Sequence, residues 1–123
     1  MKETLRVKLQ EDWDAPQPGG YKNDIKDGKI RWELVPLDLI EWVAKVYTFG
    51  AKKYKPYSWQ LIGKTEDGTT EFQRYKAALL RHLVAHEKGE FLDPESKLPH
   101  LAHVLWNAVA LLFFGLKEHE NEK

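Results

Sequence analysis

The chain has 123 residues, 42% hydrophobic and 31% charged, which is enough for one domain with a real core. Lys and Arg total 19 and so do Asp and Glu, leaving no net charge and no broad electrostatic case for a nucleic-acid or anionic-membrane partner. There is no cysteine, so a disulfide framework and a thiolate zinc site are excluded and any metal must rest on His, Asp, Glu or Asn.

Residues 1–20 read as a polar arm. APQPGG at 15–20 and KDGK at 26–29 are turn signals, and TLRVKL alternates enough for a short strand but equally suits a disordered terminus. Pro36 opens a helical pattern over 36–49, with Ile40, Val43, Ala44 and Tyr47 at helical spacing and Gly50 where a capping glycine would stand. The stretch after it, 51–69, mixes Lys, Gly, Pro and aromatics and reads as a long ordered loop. A second helix over 70–88 starts with a capping box, Thr70 with Gln73, and puts Phe72, Tyr75, Leu79, His82, Leu83 and His86 on one face before Gly89 ends it. Asp93-Pro94 starts a turn, and Pro99 opens a third helix that runs to about Gly115.

That third helix is apolar almost all round, with Leu101, Val104, Leu105, Ala108, Leu111 and Leu112 on one face and Val109, Phe113 and Phe114 on others. The expected core is Leu79, Leu83, Val104, Leu105, Ala108 and Leu111. Three helices hardly suffice to cover such an element, so a homodimer burying Val109, Phe113 and Phe114 is expected. The fold class that follows is an all-α small bundle with an irregular N-terminal arm, completed by dimerisation. Residues 21–116 form the core and 117–123 a frayed tail. The N-terminus has no apolar leader, and the run at 104–114 is interrupted by Asn107 and too short to span a bilayer; a cytoplasmic protein with no membrane partner is expected.

Chemistry points to 81–107, which holds four of the five histidines. His82 and His86 are spaced i, i+4, and His100 and His103 are spaced i, i+3 with Asn107 one turn further, so each set shares a helix face. The connecting loop supplies Glu87, Glu90, Asp93 and Glu95. Antiparallel helices joined by about ten residues bring the end of one beside the start of the next. His82, His100 and His103, with Glu90 or Asp93, are therefore the candidate metal ligands, and Glu87, Glu90 and Asp93 the candidate catalytic carboxylates. His86, nearer the helix end, is a weaker candidate, and His119 has no role. Each feature also has a plain reading. The histidines can form a structural polar network, Asp93 can serve only its turn, and Lys29, Arg31, Lys52, Lys53 and Arg74 can be solvated surface charges. Arg81 adjoins His82 where a phosphate on a metal would lie, and Trp59 is either a core plug or a ring that closes over a base. No Walker loop, dinucleotide fingerprint, nucleophile elbow or His-Asp dipeptide is present.

The succession DGKIRWELVP, YTFGAKKYKPYSW, RYKAALLRH, GEFLDPES and LPHLAHVLWNA resembles a family of small phage and prophage proteins described as the N-terminal domain of dATP/dGTP diphosphohydrolase, over residues 20–114. The resemblance implies hydrolysis of a purine deoxynucleoside triphosphate to its monophosphate and pyrophosphate. HLAHVLWNAVAL is also similar in shape to the second metal helix of the MazG-like all-α pyrophosphohydrolases, with His100 and His103 where Glu and Asp would stand. Imidazoles bind Mg²⁺ poorly and favour Mn²⁺, Co²⁺, Ni²⁺, Fe²⁺ or Zn²⁺, so either the metal differs or the acidic loop carries the ligands. The expected protein is a metal-dependent nucleoside triphosphate pyrophosphohydrolase, with Arg81, Lys52, Lys53, Trp59 and Asn107 on the substrate. The alternative is a non-catalytic accessory protein whose histidines are structural.

Overall fold

The computed structural model of the chain describes residues 28–61 and 68–121. TLRVKL and the whole of the polar arm, 1–20, lie outside the described residues. Residues 28–36 belong to a first unit and carry a short 3-10 helix, Trp32–Leu34, beside which Arg31 Nε donates to Glu33 Oε2 at 2.8 Å. The second unit, 37–123, holds three helices, α1 (Leu37–Lys53), α2 (Glu71–Glu87) and α3 (His100–Asn121), with a 3-10 turn at Ser58–Gln60 and no strand among the described residues. The all-α reading holds.

Helix starts follow local chemistry. Thr70 Oγ1 accepts from the Gln73 amide at 3.2 Å while Gln73 Oε1 accepts from the Thr70 amide at 2.9 Å, which completes the expected box. Two of the expected ends are corrected. Gly50 does not cap α1; the helix runs on through Ala51 to Lys53, and Lys52 and Lys53 complement its C-terminal dipole. Gly115 does not end α3, which continues to Asn121, so residues 117–121 are helix and not frayed tail. Gly89 does stop α2, because it adopts the left-handed conformation, φ +99°. Its amide bonds the His86 carbonyl at 2.9 Å and the Glu90 amide reaches the Ala85 carbonyl at 3.1 Å, a Schellman closure.

Packing runs through α3, which α2 and α1 both cover. Its buried stripe is His100, His103, Asn107, Ala110 and Phe114, with Ala102 beside it, and Val43 and Val46 complete the buried set on α1. This overturns the expected core. Leu79, Leu83, Val104 and Leu111 are only half-buried, while Leu105 and Ala108 point outward. Phe114 is buried within the chain and not left for a partner. Periodicity cannot choose a side on a helix apolar all round; aromatic packing does. Tyr47 of α1, Trp59, Tyr75 of α2, and Trp106, Phe113 and Phe114 of α3 form one cluster with ring centroids 5.0–6.0 Å apart, and Tyr75 donates its hydroxyl to the Trp59 carbonyl at 3.1 Å. Burying that many rings fixes the rotation of α3 and carries the polar stripe inward with it.

At 22 residues α3 is also long and apolar enough to cross a membrane by length and composition, which the run at 104–114 alone did not suggest. Its face with His100, His103 and Asn107 is packed inside the bundle, while Leu101, Leu105, Val109 and Leu112 are exposed.

Candidate metal centre

The polar stripe of α3 meets α2 and the loop that joins them. His100 is 4% exposed and His103 8%. Burial of this kind is costly unless every polar atom finds a partner, and both rings have one. His100 Nε2 lies 2.7 Å from Glu90 Oε1, and its Nδ1 lies 2.8 Å from Nδ1 of His82. A carboxylate only accepts, so His100 donates to Glu90 from Nε2. His103 stacks flat on His82, with centroids 4.4 Å apart and planes 7° apart, and its Nε2 meets Ser96 Oγ at 2.7 Å.

The loop is a tight, well-bonded turn. The Schellman closure at Gly89 aims Glu90 at α3. The chain then pairs with itself across Leu92 and Pro99, with the His100 amide on the Phe91 carbonyl at 2.9 Å and the Asp93 amide on the Leu98 carbonyl at 2.8 Å. Asp93 Oδ2 accepts the Ser96 amide at 2.8 Å, an Asx-type contact that turns the carboxylate back toward the histidines.

His82, Asp93 and His100 each offer a ligand atom, all within 4.8 Å of one another. Ligand atoms of one ion stand roughly 3–4 Å apart, so the donor set is close to what a cation would draw together. Its protonation also fits. Burial, then the neighbouring His103, holds the His82 imidazole down at about 4, so the ring is neutral at pH 7. Burial likewise lowers His103, against the pull of Asp93. Burial alone would raise Asp93, but the hydrogen bonds from the amide and hydroxyl of Ser96, with His103 and His82 beside it, hold its carboxyl below the ordinary value. A neutral imidazole at His82 and a carboxylate at Asp93 are ligand forms a divalent metal takes. Glu90 behind His100 reproduces the carboxylate–histidine–metal relay that orients such ligands.

The same shift carries a pH dependence for the metal-free chain. His82 takes up a proton near pH 6.5 when unfolded and only near pH 4 when folded, so the unfolded state binds more protons in between and stability falls as pH drops through that window. Asp93, lowered in the fold, acts in the same direction below its ordinary range. Thermal melts with a chelator present should show the midpoint falling across the window; a flat midpoint would mean that His82 is not held neutral.

Of the residues singled out in the sequence, His82 and His100 converge with Asp93, one of the two carboxylates expected beside them. His103 instead holds Ser96 and lies 3.9 Å from Asp93 Oδ2. Glu90 supports His100, and Glu87, the last residue of α2, is exposed. Asn107 donates to the His103 carbonyl at 2.8 Å within its own helix. Trp59 is engaged in the aromatic cluster. Lys53 pairs with Glu95, so the basic end of α1 reaches the loop; Lys52 and Arg81 are exposed. His86 Nδ1 is buried without a hydrogen-bond partner. Ser96 was missed, because its hydroxyl meets His103 through the path of the loop and the turn at Asp93 uses only its backbone amide.

No curated protein and no solved structure matches the chain. A family model described as dATP/dGTP diphosphohydrolase, N-terminal, matches residues 19–123, nearly the whole length. With its capped helices and histidine centre inside that span, the chain belongs to the dATP/dGTP diphosphohydrolase N-terminal family.

Proposed function

We propose that this domain hydrolyses purine deoxynucleoside triphosphates, dATP and dGTP, to the monophosphate and pyrophosphate at a divalent-metal centre held by His82, His100 and Asp93. The observation that carries the reading is the meeting of those three side chains within 4.8 Å, in a chain whose family is named for that hydrolysis. A bound divalent ion, Mn²⁺ or another imidazole-tolerant metal sooner than Mg²⁺, supplies charge neutralisation on the phosphoryl oxygens. The residues do the rest. Glu90 holds His100 through Nε2 and is exposed to solvent, so the same carboxylate takes the proton of the water that attacks the α-phosphorus. The bond from that phosphorus to the bridging oxygen breaks, and the oxygen leaves with pyrophosphate. Lys52, Lys53 and Arg81 meet the triphosphate charge, Lys53 by exchanging Glu95 for a phosphate, since an exposed pair is held weakly. The compartment expected for such a reaction is the cytoplasm.

Incubating the full chain with each deoxynucleoside triphosphate and Mg²⁺ or Mn²⁺ tests this. Monophosphate and pyrophosphate should appear from dATP and dGTP, faster with Mn²⁺; orthophosphate alone, or no product with any metal, would refute it. One observation favours a second reading. His82, His100 and His103 each already have a partner inside the chain, which is what a structural network requires. A network persists after chelation, whereas a metal centre loses stability.

A further inference from the structure

We propose that Ser96 is a positioning residue that keeps His103 out of the ligand set, leaving the metal centre with three protein ligands and an open position, an inference that rests on the metal reading above. His103 stands close enough to join. Its ring lies flat on His82, centroid to centroid 4.4 Å, and its Nε2 is 3.9 Å from Oδ2 of Asp93. That falls within the roughly 3–4 Å that separates ligand atoms of one ion. Yet among the described residues the ligand atoms that gather within 4.8 Å belong to His82, Asp93 and His100, without His103.

The hydroxyl of Ser96 accounts for the difference. It lies 2.7 Å from His103 Nε2. A serine hydroxyl has one proton to donate and two lone pairs to accept with. The Leu98 amide donates to one lone pair at 3.2 Å, and the proton goes to the Asp93 carboxylate, which can only accept. The remaining lone pair accepts from His103, so Nε2 carries the ring proton and has no lone pair to offer a metal. The Ser96 amide meanwhile bonds Asp93 Oδ2 at 2.8 Å. One residue thus directs Asp93 into the ligand set through its backbone and holds His103 out of it through its side chain. The distinction decides what the centre can do, because four protein ligands make a closed, structural site, whereas three leave a place for water or a phosphate oxygen. Ser96→Ala removes only the side chain, so the turn at Asp93 is kept while His103 Nε2 is released.

Titrating the metal-free full chain with Zn²⁺ against a competing chelator tests this. Ser96→Ala should bind Zn²⁺ at least about tenfold more tightly than the wild type, opposite in sign to the roughly 10–100-fold loss that follows removal of a partner that only supports a ligand. The double variant Ser96→Ala, His103→Gln should return to wild-type affinity, since the added ligand is gone, and circular dichroism checks that both variants keep their helices. Two-bond ¹H–¹⁵N spectra of the metal-free wild type at about pH 8, above the range in which an imidazole takes up its second proton, should place the His103 proton on Nε2. That measurement decides the point even where Ser96→Ala does not fold. Unchanged or lower affinity in a folded Ser96→Ala chain, a gain that survives in the double variant, or a lone pair on His103 Nε2 in the wild type overturns the proposal and leaves the metal reading standing. A wild type that takes up no Zn²⁺ refutes the metal centre itself, and the proposal with it.

Discussion

His100→Ala should abolish pyrophosphate release and reduce divalent-metal binding below detection, while Glu90→Gln should leave both measurable but weakened by roughly 10–100-fold. His100 faces His82 with one ring nitrogen and Glu90 with the other, so its removal takes away a ligand and the anchor of the loop together. Glutamine at 90 still accepts a hydrogen bond from Nε2 but carries no charge, so ring orientation survives while the basicity of the ligand falls and the proton acceptor is lost. Isothermal titration with Mn²⁺ and a product assay read the two effects separately. Because His100 is buried, the alanine variant must also be checked for fold by circular dichroism. An unfolded variant, together with unchanged metal uptake by Glu90→Gln and Asp93→Asn, would leave only the structural network.

The largest expected loss of stability is at Phe114. It is 5% exposed, stacks on Tyr75 with planes 15° apart and meets Phe113 edge-on at 5.0 Å. Phe114→Ala should cost about 3–5 kcal/mol, from the lost transfer free energy and the cavity left among rings that cannot collapse inward. That is a large share of the ~5–15 kcal/mol that holds a domain of ordinary stability. Urea titration followed by tryptophan fluorescence is suited to this measurement, since Trp59 and Trp106 line the same cluster. A loss below about 1 kcal/mol would mean that this face of α3 is not the interior.

How much was legible in the sequence varies with how local the cause is. The start of α2 could be read because Thr70 and Gln73 satisfy each other's backbone within four residues, and Pro99 marked the start of α3 for an equally local reason. Helix ends were harder. Gly50, Gly89 and Gly115 look alike in sequence, but only Gly89 adopts the left-handed conformation that stops a helix. At the other two, good helix formers follow and nothing local forces a stop. His82 and His100 were legible as a pair from their helical spacing and the short connection between their helices.

The sequence by itself determined the helical class, the helix starts, and a histidine-rich junction between the second and third helices. Only the tertiary structure decided which side of α3 faces inward, because a helix apolar on every face presents no period to read and the packing of six aromatic rings sets its rotation. It also decided which carboxylate joins the histidines. Glu90 and Asp93 are three residues apart in one loop, and neither has a helical face to predict its direction. The closure at Gly89 sends Glu90 behind His100, and the bond from the Ser96 amide to Asp93 turns that carboxylate toward His82, so the ligand set is fixed by loop hydrogen bonds that no pattern of residue types reveals.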